Sequence, residues 1–132
     1  MSADKPAIVI DRLDHLVLTV RDVEATCRFY ADVLGMQVVR WEGRTALQFG
    51  RHKINLHQAG SEFEPKAKRP TPGSGDFCLI TKTPLEAVMR HLAAQGIAIE
   101  LGPVPKQGAL GAMRSVYFRD PDDNLVEVSN YP

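Results

Sequence analysis

The sequence predicts an α+β domain in which a βαβββ unit is used twice. Three observations predict it. Two β-rich apolar runs, Leu13–Val20 and Asp76–Thr81, are each followed by one amphipathic helix and then by three short strand-like runs. A glycine closes each helix at nearly the same distance: Gly35 lies 21 residues after Asp14, and Gly96 lies 20 after Asp76. Between the units, residues 59–75 lose all periodicity and collect Pro65, Pro70, Pro72, Gly60, Gly73 and Gly75. The domain is placed at 10–131, with module one at 10–58, a linker at 59–75 and module two at 76–131.

Each element has a local reason. In His15-Leu16-Val17-Leu18-Thr19-Val20, alternation sets Leu16, Leu18 and Val20 on one face and His15, Val17 and Thr19 on the other. Asp22 caps the next helix, and Val23, Cys27, Tyr30, Val33 and Leu34 form its apolar stripe. Strands then follow at Met36–Trp41, Thr45–Phe49 and Lys53–Gln58. In the second unit Thr83 is expected to cap a helix with Pro84 in its first position, and Leu85, Val88, Met89, Leu92 and Ala93 form the stripe. Strands are then expected at Ile97–Glu100, Arg114–Phe118 and Asn124–Ser129, the last two joined by the turn residues Arg119–Asp123. Each unit is too small for its own core, so the halves must share one.

Composition narrows the function. Sixteen basic and sixteen acidic residues cancel, which argues against nucleic acid or an anionic membrane as the main partner. No apolar run reaches the ~20 residues of a membrane span, and the N-terminus lacks a cleavage-like signal. Cys27 and Cys78 are too few for a disulfide scaffold; both read as small core residues and fit a reducing, cytoplasmic setting.

The candidate chemistry lies on the strand faces away from the helices. His15, Val17 and Thr19 are expected to line a cup, with Phe77, Leu79 and Thr81 opposite and Cys78 and Ile80 beneath the second helix. Lys53, Asn55 and His57 share a face, as do Leu125 and Glu127. A glutamate inside Leu125-Val126-Glu127-Val128 is anomalous, because a half-buried carboxylate needs a partner. A divalent ion bound by His15, His57 and Glu127 answers that need and leaves positions for substrate oxygens. The plain alternative is two ordinary strand histidines and a solvated glutamate.

The segments Asp14–Val20, Cys27–Met36 and Tyr117–Val128 resemble the vicinal oxygen chelate superfamily, which includes glyoxalase I, fosfomycin-resistance proteins, methylmalonyl-CoA epimerase and extradiol dioxygenases. The chain looks most like the group called glyoxalase domain-containing protein 5 and its bacterial relatives. The resemblance covers about residues 10–131. It implies metal ligands on the first and last strand of each half, matching His15 and Glu127. Phe77 stands where the family usually offers a histidine, which lowers the dioxygenase and fosfomycin-type readings. Family alignment puts Asn55 at the remaining position, with His57 two residues on; His57 is the better transition-metal ligand and Asn55 a supporting or substitute one. The implied function is a divalent-metal enzyme (Zn, Ni, Mn, Fe or Co) of glyoxalase-like lyase or isomerase type on a small substrate, with Glu127 as base. The alternatives are a non-catalytic binding protein of bleomycin-resistance type and a dioxygenase. Asn55, Phe77 and Arg114 are the candidate substrate contacts. Lys66, Lys68 and Arg69 form a basic linker cluster, read as a solvated loop or a lid over an acidic substrate. A homodimer is expected, its modules pairing within one chain or across two.

Overall fold

The computed structural model describes residues 6–132. It forms two four-stranded mixed sheets and two helices. Sheet one contains β1 (His15–Val20), β2 (Gln37–Trp41), β3 (Arg44–Phe49) and β4 (His52–Gln58), in the order β1-β4-β3-β2. Sheet two contains β5 (Asp76–Ile80), β6 (Leu101–Gly108), β7 (Gly111–Arg119) and β8 (Leu125–Asn130), in the order β5-β8-β7-β6. In each sheet the first and last strands are parallel and the other pairs antiparallel. Helix α1 (Val23–Leu34) follows β1 and α2 (Leu85–Ala94) follows β5.

Helix α1 starts and stops where its sequence dictates. The Asp22 carboxylate accepts the Ala25 N–H, and Gly35 takes the left-handed conformation (φ 68°) that closes the last turn. Helix α2 differs from expectation at its start. Thr83 makes no cap; the side-chain oxygen of Asn130 at the end of β8 accepts the Leu85 N–H instead. The cap therefore comes from tertiary structure, which local sequence cannot announce.

Sheet two also corrects one strand. Ile97–Glu100 is not a strand, and the pairing falls on Leu101–Gly108, including Pro103 and Pro105. Proline is tolerated because β6 is an edge strand. At Gly102 (φ 118°) an added Cβ would lie 2.5 Å from the Ser115 carbonyl oxygen, so the irregular pairing between Leu101 and Val104 needs a glycine there.

The helix-bearing faces of both sheets turn toward each other and share one core. Leu18, Val20, Leu47, Ile54 and Leu56 meet Val116, Phe118, Val126 and Val128 through Tyr30, Val33, Leu85 and Leu92. Phe29 of α1 packs on Phe118 of β7, with ring centroids 6.4 Å apart, and the His91 ring of α2 touches the Asp32 carbonyl of α1 at 3.2 Å. A polar knot fastens the halves. The Asp120 carboxylate accepts the Tyr30 hydroxyl (2.7 Å), the Asn124 side-chain amide (2.8 Å) and the backbone N–H groups of Asp122 and Asn124. Arg21 donates to the buried carboxylate of Asp122 at 2.8 Å. The turn thus anchors α1 through the buried side chains of Asp120 and Asp122.

Candidate functional site

With the helix faces spent on the shared core, the other face of each sheet points outward. On sheet one this open face carries His15, Val17 and Thr19 from β1 beside Lys53, Asn55 and His57 from β4. On sheet two it carries Asp76, Cys78 and Ile80 from β5 beside Leu125, Glu127 and Ser129 from β8. Val17, Ile80 and Leu101 are large apolar residues left about half exposed on or beside these faces. Among the described residues, no three His, Cys, Asp or Glu side chains gather closely enough to hold an ion within one chain.

The parity of β5 is opposite to the sequence expectation. Phe77 and Leu79 pair with Val126 and Val128 and pack against the core, whereas Cys78 is exposed on the open face. Two bulky apolar side chains gain more from burial under α2 than from a wet cup. The edge of Phe77 still borders a cleft of about 540 Å³ that also reaches His15, Lys53 and Cys78. Arg114 is corrected in the same way. It shares parity with Val116 and Phe118, lies toward α2 and donates to Glu86 at 3.0 Å, so it is turned away from the open face.

The register makes the two modules comparable residue by residue. β1 meets β4 with His15 opposite Lys53, and β5 meets β8 with Asp76 opposite Leu125. Asp76 is therefore the counterpart of His15, Asn55 the counterpart of Glu127, and His57 the counterpart of Ser129. Asp76 escaped the sequence reading because the second strand was read one residue out of phase. Its phase is fixed by the pairing of Phe77 and Leu79 with Val126 and Val128.

The environments of these side chains differ. His15 is solvent-accessible, and its Nδ1 lies 2.8 Å from the Asp14 carboxylate, which leaves Nε2 free. The hydrogen bond from His15 holds the Asp14 carboxyl below its ordinary range. The Asn55 side-chain oxygen is buried with no hydrogen-bond partner. His57 is buried beneath linker residue Phe63, edge-to-face with centroids 5.5 Å apart, and the Arg44 guanidinium lies over the Phe63 ring at 4.0 Å. Burial first, then Arg44 and Lys66, push the His57 ring below its ordinary pKa, with Glu62 opposing. Glu127 accepts the Ser115 hydroxyl at 2.6 Å, and Ser115 and Ser129 lie 2.6 Å apart. Tyr117, opposite Glu127 in the register, is pushed up to about 12 by burial and by that carboxylate.

The family model described as the glyoxalase/bleomycin resistance protein/dioxygenase superfamily matches residues 12–128. The chain belongs to this superfamily. Virulence protein STM3117 of Salmonella typhimurium is 55% identical over 125 residues, covering 94% of this chain and 87% of that protein. Its crystal structure superposes with a TM-score of 0.93, covering 95% of this chain and all of the other. Glyoxalase domain-containing protein RDO1 of Mycosarcoma maydis is 51% identical over 120 residues, covering 90% of this chain and 68% of that protein. A lactoylglutathione lyase from Agrobacterium tumefaciens is 25% identical with a TM-score of 0.67, covering 96% of each chain. Two superfamily motifs now have a structural reason: the Tyr30 segment and the Asp120–Asn124 turn are the two sides of the polar knot.

The superfamily implies a divalent ion, and the open-face residues suit one. An imidazole with its Nδ1 tied to a carboxylate, a buried amide oxygen without a donor among the described residues, and two carboxylates are ligand types that suit Zn, Ni, Mn, Fe or Co, although one chain does not gather them.

Proposed function

We propose that the protein is a divalent-metal-dependent enzyme of glyoxalase-like lyase or isomerase type, acting on a small substrate with two neighbouring oxygens. The ion would be held by His15 and Asn55 of one copy and by the partner's Asp76 and Glu127. The matched register supports this reading: both half-sites occupy equivalent places on open faces that turn away from each other within one chain. His57 is set aside as a ligand because its ring is buried against Phe63. Homodimerisation follows, since each site needs both half-sites.

When bound, the ion supplies a Lewis acid that grips two vicinal oxygens and stabilises negative charge on them. Asp14 fixes the His15 ring so that Nε2 faces outward. Glu127 serves as the base that moves a proton at the carbon beside the substrate carbonyl, and the Ser115 hydroxyl orients its carboxylate. Tyr117 stays protonated at neutral pH and can donate to developing negative charge. The neutral amide of Asn55 cannot act as a second base.

Metal uptake tests the reading directly. Protein dialysed against Mn, Co, Ni or Zn should retain about one ion per chain, and His15→Ala and Glu127→Ala should each weaken retention at least about tenfold. Unchanged metal content in both variants removes the proposal. The second reading, a binding protein of bleomycin-resistance type, draws support from the amide at Asn55 where module two has a carboxylate. It predicts ligand affinity indifferent to chelators.

A further inference from the structure

The linker closes over one end of the sheet-one open face and leaves a cavity of about 540 Å³ beneath it. Val17, Thr19 and His57 form its floor, and Lys66, Arg69 and Thr71 lie on the linker side. Among the described residues, no aspartate or glutamate lines it. Its cations are not equivalent. Lys66 is already held by Glu62 and Glu64 at 3.6 and 3.2 Å, whereas Arg69 makes no ion pair among the described residues. His57 is only 6% exposed, and its Nδ1 has no hydrogen-bond partner. A cavity that holds a buried imidazole and an exposed guanidinium with no ion pair among the described residues is a site for an acceptor with negative charge.

The position of this cavity gives it a role. Val17 is the register partner of Asn55, and Thr19 of His57, so the cavity begins one strand repeat (about 7 Å) beyond the proposed ion position on the same face. A single small molecule can reach both. We propose that the linker cavity binds a carboxylate at the far end of the substrate, with Arg69 as its ion-pair partner and the His57 ring as a hydrogen-bond donor. The substrate class becomes a small organic acid, with vicinal oxygens at one end and a carboxylate roughly a four-carbon chain away. The inference rests on the proposed metal site for the near end of the molecule; the cavity chemistry stands apart from it.

A matched pair of probes tests this. 2-Hydroxyadipate and 2-hydroxyhexanoate present the same chelating end and nearly the same length, and differ in a terminal carboxylate against a methyl group. Calorimetric titration of the Mn-loaded protein should show 2-hydroxyadipate binding at least about tenfold tighter. In Arg69→Gln that preference should shrink to about twofold or less, with metal content unchanged because Arg69 is exposed and outside the ion's ligands. Equal binding of the two probes to the wild type, or a preference that survives Arg69→Gln, overturns the proposal. Metal content measured on the same samples reports separately on the metal reading. Should no ion be retained, hexanoate against hexan-1-ol on the metal-free protein decides the cavity question by the same criterion.

Discussion

Replacing Tyr30 with Phe removes one oxygen from the centre of the molecule. Tyr30 is fully buried, and its hydroxyl donates to the Asp120 carboxylate at 2.7 Å. The ring itself stays, so packing against Phe29 is kept and the change is confined to that bond. Oδ2 of Asp120 then keeps only the Asn124 amide at 2.8 Å, while Oδ1 keeps its two backbone donors. A hydrogen bond to a charged acceptor contributes about 1.5–3 kcal/mol, and the remaining donors soften its loss, so the expected cost is about 2 kcal/mol. For a chain of this length that corresponds to a fall of roughly 6–10 °C in Tm. Urea unfolding at fixed protein concentration should show a lower midpoint with an unchanged slope. In a double-mutant cycle Tyr30→Phe and Asp120→Ala should be strongly non-additive, because each removes the same bond. A loss below about 0.5 kcal/mol for Tyr30→Phe would refute the idea that this knot ties the modules together.

Three further outcomes follow. His57 is held below its unfolded pKa of 6.5 by burial, so the unfolded chain binds its proton first. The His57 contribution to stability is therefore complete above pH 6.5 and lost progressively as the pH falls toward the folded value; His57→Gln should flatten urea-midpoint curves recorded between pH 7.5 and 5.5, and a slope equal to that of the wild type would contradict its burial. In the native protein a thiol reagent should label Cys78 and spare Cys27, since one is exposed and the other buried; mass spectrometry showing equal labelling would contradict the parity of β5. Asn130→Ala should destabilise by about 1 kcal/mol through loss of the α2 cap, whereas Thr83→Ala should leave the urea midpoint nearly unchanged.

Much of this architecture is written in local pattern. Asp22, the Cys27–Tyr30–Val33 stripe and Gly35 specify α1 without help from the rest of the chain. The duplicated order of elements was legible for the same reason. What was not legible depends on partners distant in sequence. The α2 cap comes from Asn130, 45 positions away, and β6 is chosen by its pairing with β7 despite Pro103 and Pro105. Asp120 and Asp122 look like turn residues until Tyr30 and Arg21 meet them across the module boundary. At the candidate site, His15 and Glu127 were readable as polar intrusions in apolar strands. Asp76 was not, because Asp76-Phe77-Cys78-Leu79-Ile80 alternates too weakly to fix its own phase; only the pairing of Phe77 and Leu79 with Val126 and Val128 does so.

In the proposed site one ion is held by His15 and Asn55 of one copy with Asp76 and Glu127 of another. Mixing His15→Ala and Glu127→Ala chains, dissociated and reassociated together, tests it most directly. Each variant alone should retain almost no metal. Random reassociation should restore about a quarter of the wild-type metal content, because half of the dimers are mixed and each mixed dimer rebuilds one intact site of two. Metal content that stays at the level of the separate variants after exchange is complete would contradict a site shared between copies.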